Sequence, residues 1–180
     1  LKDAAAANPN FKYGILRYFN VAGAASDGTI GQNYPNATHL IKVATQTIVG
    51  KRDKMSIFGD DYDTKDGTCI RDYIYIVDLA KAHVKAMERV LNQQTDAIEY
   101  FNIGTGKGVS TLEVIKAFEK ATGVKLNWTF APRREGDIEK VWANPEKANR
   151  VLGWKAETNL EDTLASAWKW QQRLRADGIL

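Results

Sequence analysis

The spacing of apolar positions along the chain switches repeatedly between the period of a strand and that of a helix. Residues 12–19 form an aromatic and β-branched run of the kind that makes a buried strand, with Asn20 at its end. A Gly-, Asn- and Ser-rich stretch from Gly23 to Tyr34 reads as a loop. From His39 to Val49 the positions Leu40, Val43, Ala44, Thr47 and Ile48 share one helical face, which Gly50 ends. Residues 55–58 give a short strand cut by Gly59, and an acidic loop from Asp60 to Gly67 leads to a strand over 71–77. Asp78 then stands as the cap of a helix with Leu79, His83, Ala86, Met87, Val90 and Leu91 on one side. Strands at 98–103 and 126–130 flank a helix that Ser110 and Glu113 open as a capping box and Gly123 closes. Asn144-Pro145 starts a helix that Gly153 ends, and Thr158 with Glu161 caps a last one carrying Leu160, Leu164, Trp168 and Leu174. This alternation predicts an α/β fold.

Before the first strand, residues 1–7 (LKDAAAA) are strong helix formers with neither an initiating Met nor a cap, stopped by Asn8-Pro9-Asn10. They read as the tail of a helix, and the chain as the C-terminal part of a longer protein. Its 180 residues, 44% apolar, suffice for one domain with a real core, or one domain and a fragment of another. With 25 Lys and Arg against 22 Asp and Glu, interspersed, the net charge of +3 gives no nucleic-acid footprint. The sequence Lys51-Arg52-Asp53-Lys54 reads as a solvated turn. A lone Cys69 excludes an internal disulfide, and no stretch is apolar and long enough for a membrane span or signal sequence, so a reducing cytoplasm is expected.

Two arginine segments carry the strongest chemistry: Ile70-Arg71-Asp72-Tyr73 opening one strand, and Pro132-Arg133-Arg134-Glu135-Gly136-Asp137 closing another. Planar guanidinium forks at strand ends suit a pyrophosphate, and point to a nucleotide sugar. Surface ion pairs with Asp72, Glu135 and Asp137, each worth about 0–1 kcal/mol, are the competing reading. Gly104-Thr105-Gly106-Lys107-Gly108 lacks both the Gly-Lys-Ser/Thr ending of a nucleotide-triphosphate loop and the third glycine of a dinucleotide fingerprint, and so reads as a structural turn. His39, His83 and Cys69 are too scattered for a metal site, and no Gly-x-Ser-x-Gly elbow occurs. His83 reads as a satisfied, half-buried core residue, whereas both a capping role and substrate contact fit His39. Trp154, Trp168 and Trp170 read as helix packing.

Taken in order, Leu16-Arg17-Tyr18-Phe19-Asn20-Val21-Ala22-Gly23, Ile57-Phe58-Gly59-Asp60-Asp61-Tyr62, Asp66-Gly67-Thr68-Cys69-Ile70-Arg71-Asp72-Tyr73 and Ala131-Pro132-Arg133-Arg134-Glu135-Gly136-Asp137 resemble the UDP-glucose 4-epimerases of the extended short-chain dehydrogenase/reductase superfamily. The resemblance runs over essentially the whole chain. It implies a substrate-binding domain joined to a late piece of a Rossmann-type parallel sheet, with residues 1–37 in the latter and 38–180 mainly in the former, interleaving allowed. The family's Gly-rich NAD loop and Tyr-x-x-x-Lys set do not occur here, so no catalytic residue is assigned.

By the same resemblance, Tyr18 and Phe19 lie by the nicotinamide of NAD, and Asn20 by the phosphate or sugar of UDP-glucose or UDP-galactose. His39 and Leu40 reach the nucleotide, Ser56, Ile57 and Phe58 the uracil, Arg71 and Arg134 the diphosphate with Tyr73 nearby, and Asp137 the ribose. Val141 stands where some members carry a bulky tyrosine beside the hexose, which implies room for a 2-acetamido group. The reaction implied is reversible inversion at sugar C4 through a 4-keto intermediate, by a full-length homodimer. A UDP-sugar-binding module without turnover, and another epimerase or a dehydratase on the same scaffold, are the alternatives.

Overall fold

Strands that pair in parallel must come from distant parts of a chain, and here they do. The computed structural model describes residues 1–92, 94 and 98–179. In chain order its elements are α1 (Lys2–Ala7), β1 (Tyr13–Tyr18), β2 (Asn20–Ala22), α2 (Leu40–Ile48), β3 (Met55–Phe58), β4 (Ile70–Arg71), β5 (Tyr73–Tyr75), α3 (Ile76–Leu91), β6 (Ile98–Ile103), β7 (Val109–Ser110), α4 (Thr111–Thr122), β8 (Trp128–Ala131), β9 (Lys140–Val141), α5 (Glu146–Val151) and α6 (Leu160–Ala176). Parallel pairs join β1 to β6, β2 to β5 and β3 to β8, while β4 lies between antiparallel β7 and parallel β9. The α/β class expected from the sequence is the one observed.

Two apolar clusters hold these elements. Ile74, Leu79, Phe101, Ile103, Leu152 and Trp154 gather β5, α3, β6 and α5, with Leu16 of β1 against them. Ile41, Met55, Ile57, Val114, Phe118 and Leu164 bind α2, β3, α4 and α6. Burying each such side chain stabilises by about 1.5–3 kcal/mol. The functional elements lie along the second cluster, anchored from below.

Several boundaries differ from expectation, each for a local reason. The strand expected over 71–77 breaks at Asp72, and α3 begins at Ile76 with Tyr75 as its N-cap. Asp78 is therefore not the cap. Its buried carboxylate instead accepts from the Glu157 and Thr158 amides at 3.1 and 2.9 Å, while its carbonyl takes the Trp154 indole at 2.9 Å. Trp154 thus packs through a loop rather than a helix. The cap of α6 is Asn159, one residue beyond the expected Thr158, and its side chain accepts from the Asp162 amide at 2.8 Å. The capping box of Ser110 and Glu113 forms as expected. His83 is satisfied by the Leu79 carbonyl at 2.9 Å but is exposed, as are Met87 and Leu91, so of the expected face of α3 only Leu79 and Ala86 are fully buried in the core. On α2 the buried set includes Lys42, Thr45 and Gln46, whose polar groups are bonded to Gln32, Gln171, Pro35 and one another's backbone.

Candidate functional site

Strand ends and one helix start converge where chemistry is expected. The amino end of α2, strand β3, Arg71 of β4 and the loop after β8 enclose a cleft of about 570 Å³, within the roughly 300–1,000 Å³ usual for small-ligand sites. Asn20, His39, Leu40, Ser56, Ile57, Phe58, Arg71, Tyr73 and Arg134 all line it. Asp137 is joined to it through its two arginines, and Val141 stands in register with Arg71 on the neighbouring strand. Tyr18 and Phe19 do not line the cleft. They are exposed at the carboxyl end of β1, immediately before Asn20, with the Tyr18 ring 6.0 Å from His83.

The arginines are held in different ways. Arg71, mostly buried, donates from one terminal nitrogen to the Ile70 carbonyl at 2.9 Å and the Glu139 carbonyl at 3.4 Å, and its other terminal nitrogen lies 3.8 Å from Asp137. Arg134 is exposed, lies 4.6 Å above the Phe58 ring and donates to Asp137 at 3.0 Å. Both therefore meet on one carboxylate. Surface pairing is thus real for Asp137, but Asp72 takes no part in it.

Asp72 points into the core. Its carboxylate accepts from the Thr105 amide and hydroxyl, the Gly106 amide and the Ala143 amide, at 2.7–3.2 Å. A Cβ on Gly104 would fall 2.5 Å from that carboxylate, and Gly106 has φ +75°. The glycine loop is a structural turn, as its sequence suggested, wrapped around an aspartate rather than a phosphate. The carbonyl of Asp72 takes both the backbone and side-chain nitrogens of Asn20, at 3.2 and 3.1 Å, and so seats Asn20 at the cleft.

Three further features set the cleft's chemistry. Residue His39 occupies the N-cap of α2 without a side-chain cap bond, its ring instead lying 3.5 Å from Gln32, and the first turn has no acid. Open N–H groups and the positive end of the helix dipole therefore face the cleft. In β3 the Met55 and Gly59 amides go to the Asn127 and Ala131 carbonyls of the β8 side. By the two-residue alternation, the Ser56 and Phe58 backbone groups lie on the opposite edge, where no described strand pairs. Burial pushes the Tyr73 phenol well above its usual range, so it is a neutral donor at any physiological pH.

Arg52, Lys54, Cys69 and Thr111 also line the cleft and were not expected to. Arg52 is no solvated turn residue: it donates to Gln46 and to the Ala37 carbonyl, each at 2.9 Å, tying the loop before α2 to that helix. No periodicity or motif marks it. Trp170 likewise does more than pack a helix, donating to the Gln32 carbonyl at 2.9 Å. Among the described residues no group of His, Cys, Asp and Glu could hold a metal, and no helix is long and apolar enough to cross a membrane.

This arrangement is that of an α/β protein with strand ends and a helix amino terminus around an arginine-lined cleft, the place where ligands of such folds lie. Residues 8–167 match the family model described as GDP-mannose 4,6 dehydratase, and the chain belongs to that family. Within it, the chain is 47% identical over 173 residues to a UDP-glucose 4-epimerase of Bacillus subtilis, covering 95% of this chain and 50% of the relative. The structure of a UDP-glucose-4-epimerase from Stenotrophomonas maltophila with bound NAD and formylated UDP-arabinopyranose is 40% identical, with a TM-score of 0.92 over 98% of this chain and 52% of that one. A UDP-Glc/GlcNAc 4-epimerase from Campylobacter jejuni is 47% identical, with a TM-score of 0.77 over 96% of this chain and 52% of its own. The chain spans about half the length of the relatives it matches.

Proposed function

We propose that this chain is the UDP-sugar-binding, C-terminal portion of an NAD-dependent UDP-glucose 4-epimerase. The observation that carries the reading is the meeting of Arg71 and Arg134 on Asp137 at one cleft. A diphosphate can replace that carboxylate, taking two guanidinium forks and the open α2 amino terminus together. Asp137, so released, is free to accept ribose hydroxyls, and the outer edge of β3 offers backbone groups to uracil under the Phe58 ring. Firm grip at the nucleotide with a loose hexose is what inversion through a rotating 4-keto sugar demands.

NAD, when bound, supplies the acceptor and donor of the C4 hydride. Exposed aromatic rings at the end of a parallel strand suit a nicotinamide, and on this reading Tyr18 and Phe19 cover it. The chain carries no Tyr-x-x-x-Lys. We therefore assign it no catalytic residue and expect it to be inactive alone, with the parent a cytoplasmic homodimer and residues 1–37 its late Rossmann portion. Small Val141, in register with Arg71, leaves room for a 2-acetamido group, and the similarity to the Campylobacter enzyme supports that extension. Calorimetry with UDP tests the nucleotide reading: saturable binding is expected, and none at millimolar UDP would overturn it. Turnover of UDP-N-acetylglucosamine by the full-length parent tests the hexose reading, which a specificity constant thousands of times below that for UDP-glucose would reject.

A further inference from the structure

Arg52, Lys54, Arg71 and Arg134 line the cleft, and among the described residues no Asp or Glu does. The three arginines are occupied: Arg52 by Gln46 and the Ala37 carbonyl, Arg71 by the Ile70 and Glu139 carbonyls, Arg134 by Asp137. Lys54 has no hydrogen bond or ion pair among the described residues. Its backbone, by contrast, is pinned on both sides by Asn127, whose side chain donates to the Asp53 carbonyl at 2.7 Å and whose carbonyl accepts from the Met55 amide at 3.0 Å. Met55 and Ile57 are buried while Lys54, Ser56 and Phe58 are exposed, so by the alternation of an extended chain those three side chains share one side. A solvated surface lysine needs neither that clamp nor a place in the cleft.

The row has a direction. Phe58, at its carboxyl end, lies under the Arg134 guanidinium at 4.6 Å, and Arg134 in turn holds Asp137. On the UDP reading above, on which this inference rests and which it deepens, diphosphate and ribose therefore lie at the Phe58 end. Lys54 stands about 13 Å from there along the chain, at roughly 3.3 Å per residue, and its long flexible stem reaches back over Ser56. A uracil that turns its amide edge to the open edge of β3 gives its N3–H to the Ser56 carbonyl and carries a carbonyl on either side of it. Its ribose is borne on N1, beside C2, so O2 falls toward Phe58 and O4 toward Lys54. We propose that Lys54 is a base-specificity residue, its ammonium donating to O4 and so selecting a pyrimidine with a carbonyl at position 4. An ammonium has donors only, so the 4-amino group of a cytosine in that place meets a second donor and is rejected.

The test compares the chain with its Lys54→Met variant in calorimetry against UDP, 2-thio-UDP and 4-thio-UDP, which differ only in one atom of the base, with thermal unfolding of both proteins alongside. The unfolding temperature should not change, since Lys54 is exposed. Expected in the variant are about tenfold weaker binding of UDP and of 2-thio-UDP, the worth of one hydrogen bond to a charged group, and a loss of less than about twofold for 4-thio-UDP, whose sulfur is a weak acceptor. Equal losses for all three ligands would overturn the inference, showing only a general attraction between the lysine and the diphosphate. Unaltered UDP affinity would overturn it too, as would a larger loss for 4-thio-UDP than for 2-thio-UDP, which would put O2 at Lys54. Failure of the unsubstituted chain to bind UDP at all would instead remove the nucleotide reading, and this inference with it.

Discussion

Asp72 and Asp137 are two carboxylates on either side of Arg71 that are satisfied in opposite ways. Asp72 is enclosed by amide and hydroxyl donors of Thr105, Gly106 and Ala143, set in place by a turn that admits no Cβ at Gly104. Asp137 is held by the tips of two arginine side chains, one of them exposed. Fixed donors cannot follow another anion, so the first site is architecture. Side chains can, and the second site is available for exchange. Charge alone does not separate a fixed carboxylate from an exchangeable one; whether its partners are backbone or side chain does.

The largest expected effect lies on the fixed side. Asp72→Ala strands several buried donors at once and should cost about 3 kcal/mol or more in stability, read as a large drop in the urea midpoint. A loss under 1 kcal/mol would mean that the two carboxylates are equally dispensable to the fold. On the exchangeable side, Arg134→Ala should leave the unfolding temperature nearly unchanged, since the side chain is exposed, yet weaken UDP binding about 10- to 100-fold. Loss of stability with unaltered affinity would invert the comparison.

Asp66 falls between the two, bonded to the Thr68 amide and hydroxyl and to the Ser110 hydroxyl that caps α4. Burial opposes its ionisation, but the bonds from Ser110 and Thr68 outweigh that and hold its pKa below the ordinary carboxylate range. A depressed pKa means stability that is present above the unfolded value and lost as pH falls through the folded one. The difference in unfolding temperature between the chain and Asp66→Asn should therefore be widest near neutrality and close below about pH 4. A gap independent of pH would assign the effect to packing.

The sequence made the exchangeable site easier to read than the fixed one. Arg71 and Arg134 stand at strand ends within extended motifs, and their convergence follows once both strands are placed. Asp72 looked like a surface partner for Arg71 because adjacency in sequence says nothing about direction; in space the two side chains part company, one to the cleft and one to the core. The long runs forming β1, β6, α4 and α6 were legible from period and caps, within a few residues. Strands β2, β7 and β9 are only two or three residues long and carry no period to detect. Arg52 and Lys42 were missed because burial of a cation depends on neutral acceptors from remote loops, Ala37 in one case and Gln171 in the other.

The pairing of strands also fixes an order of events during synthesis. Tyr13 must wait for Ile98, and Met55 for Trp128, before either meets the partner it has in the structure. Contacts so remote along the chain are slow to close. A ribosome releasing the polypeptide from its amino end thus exposes β3 unprotected until β8 emerges, and the cleft is completed only after most of the chain has left the tunnel.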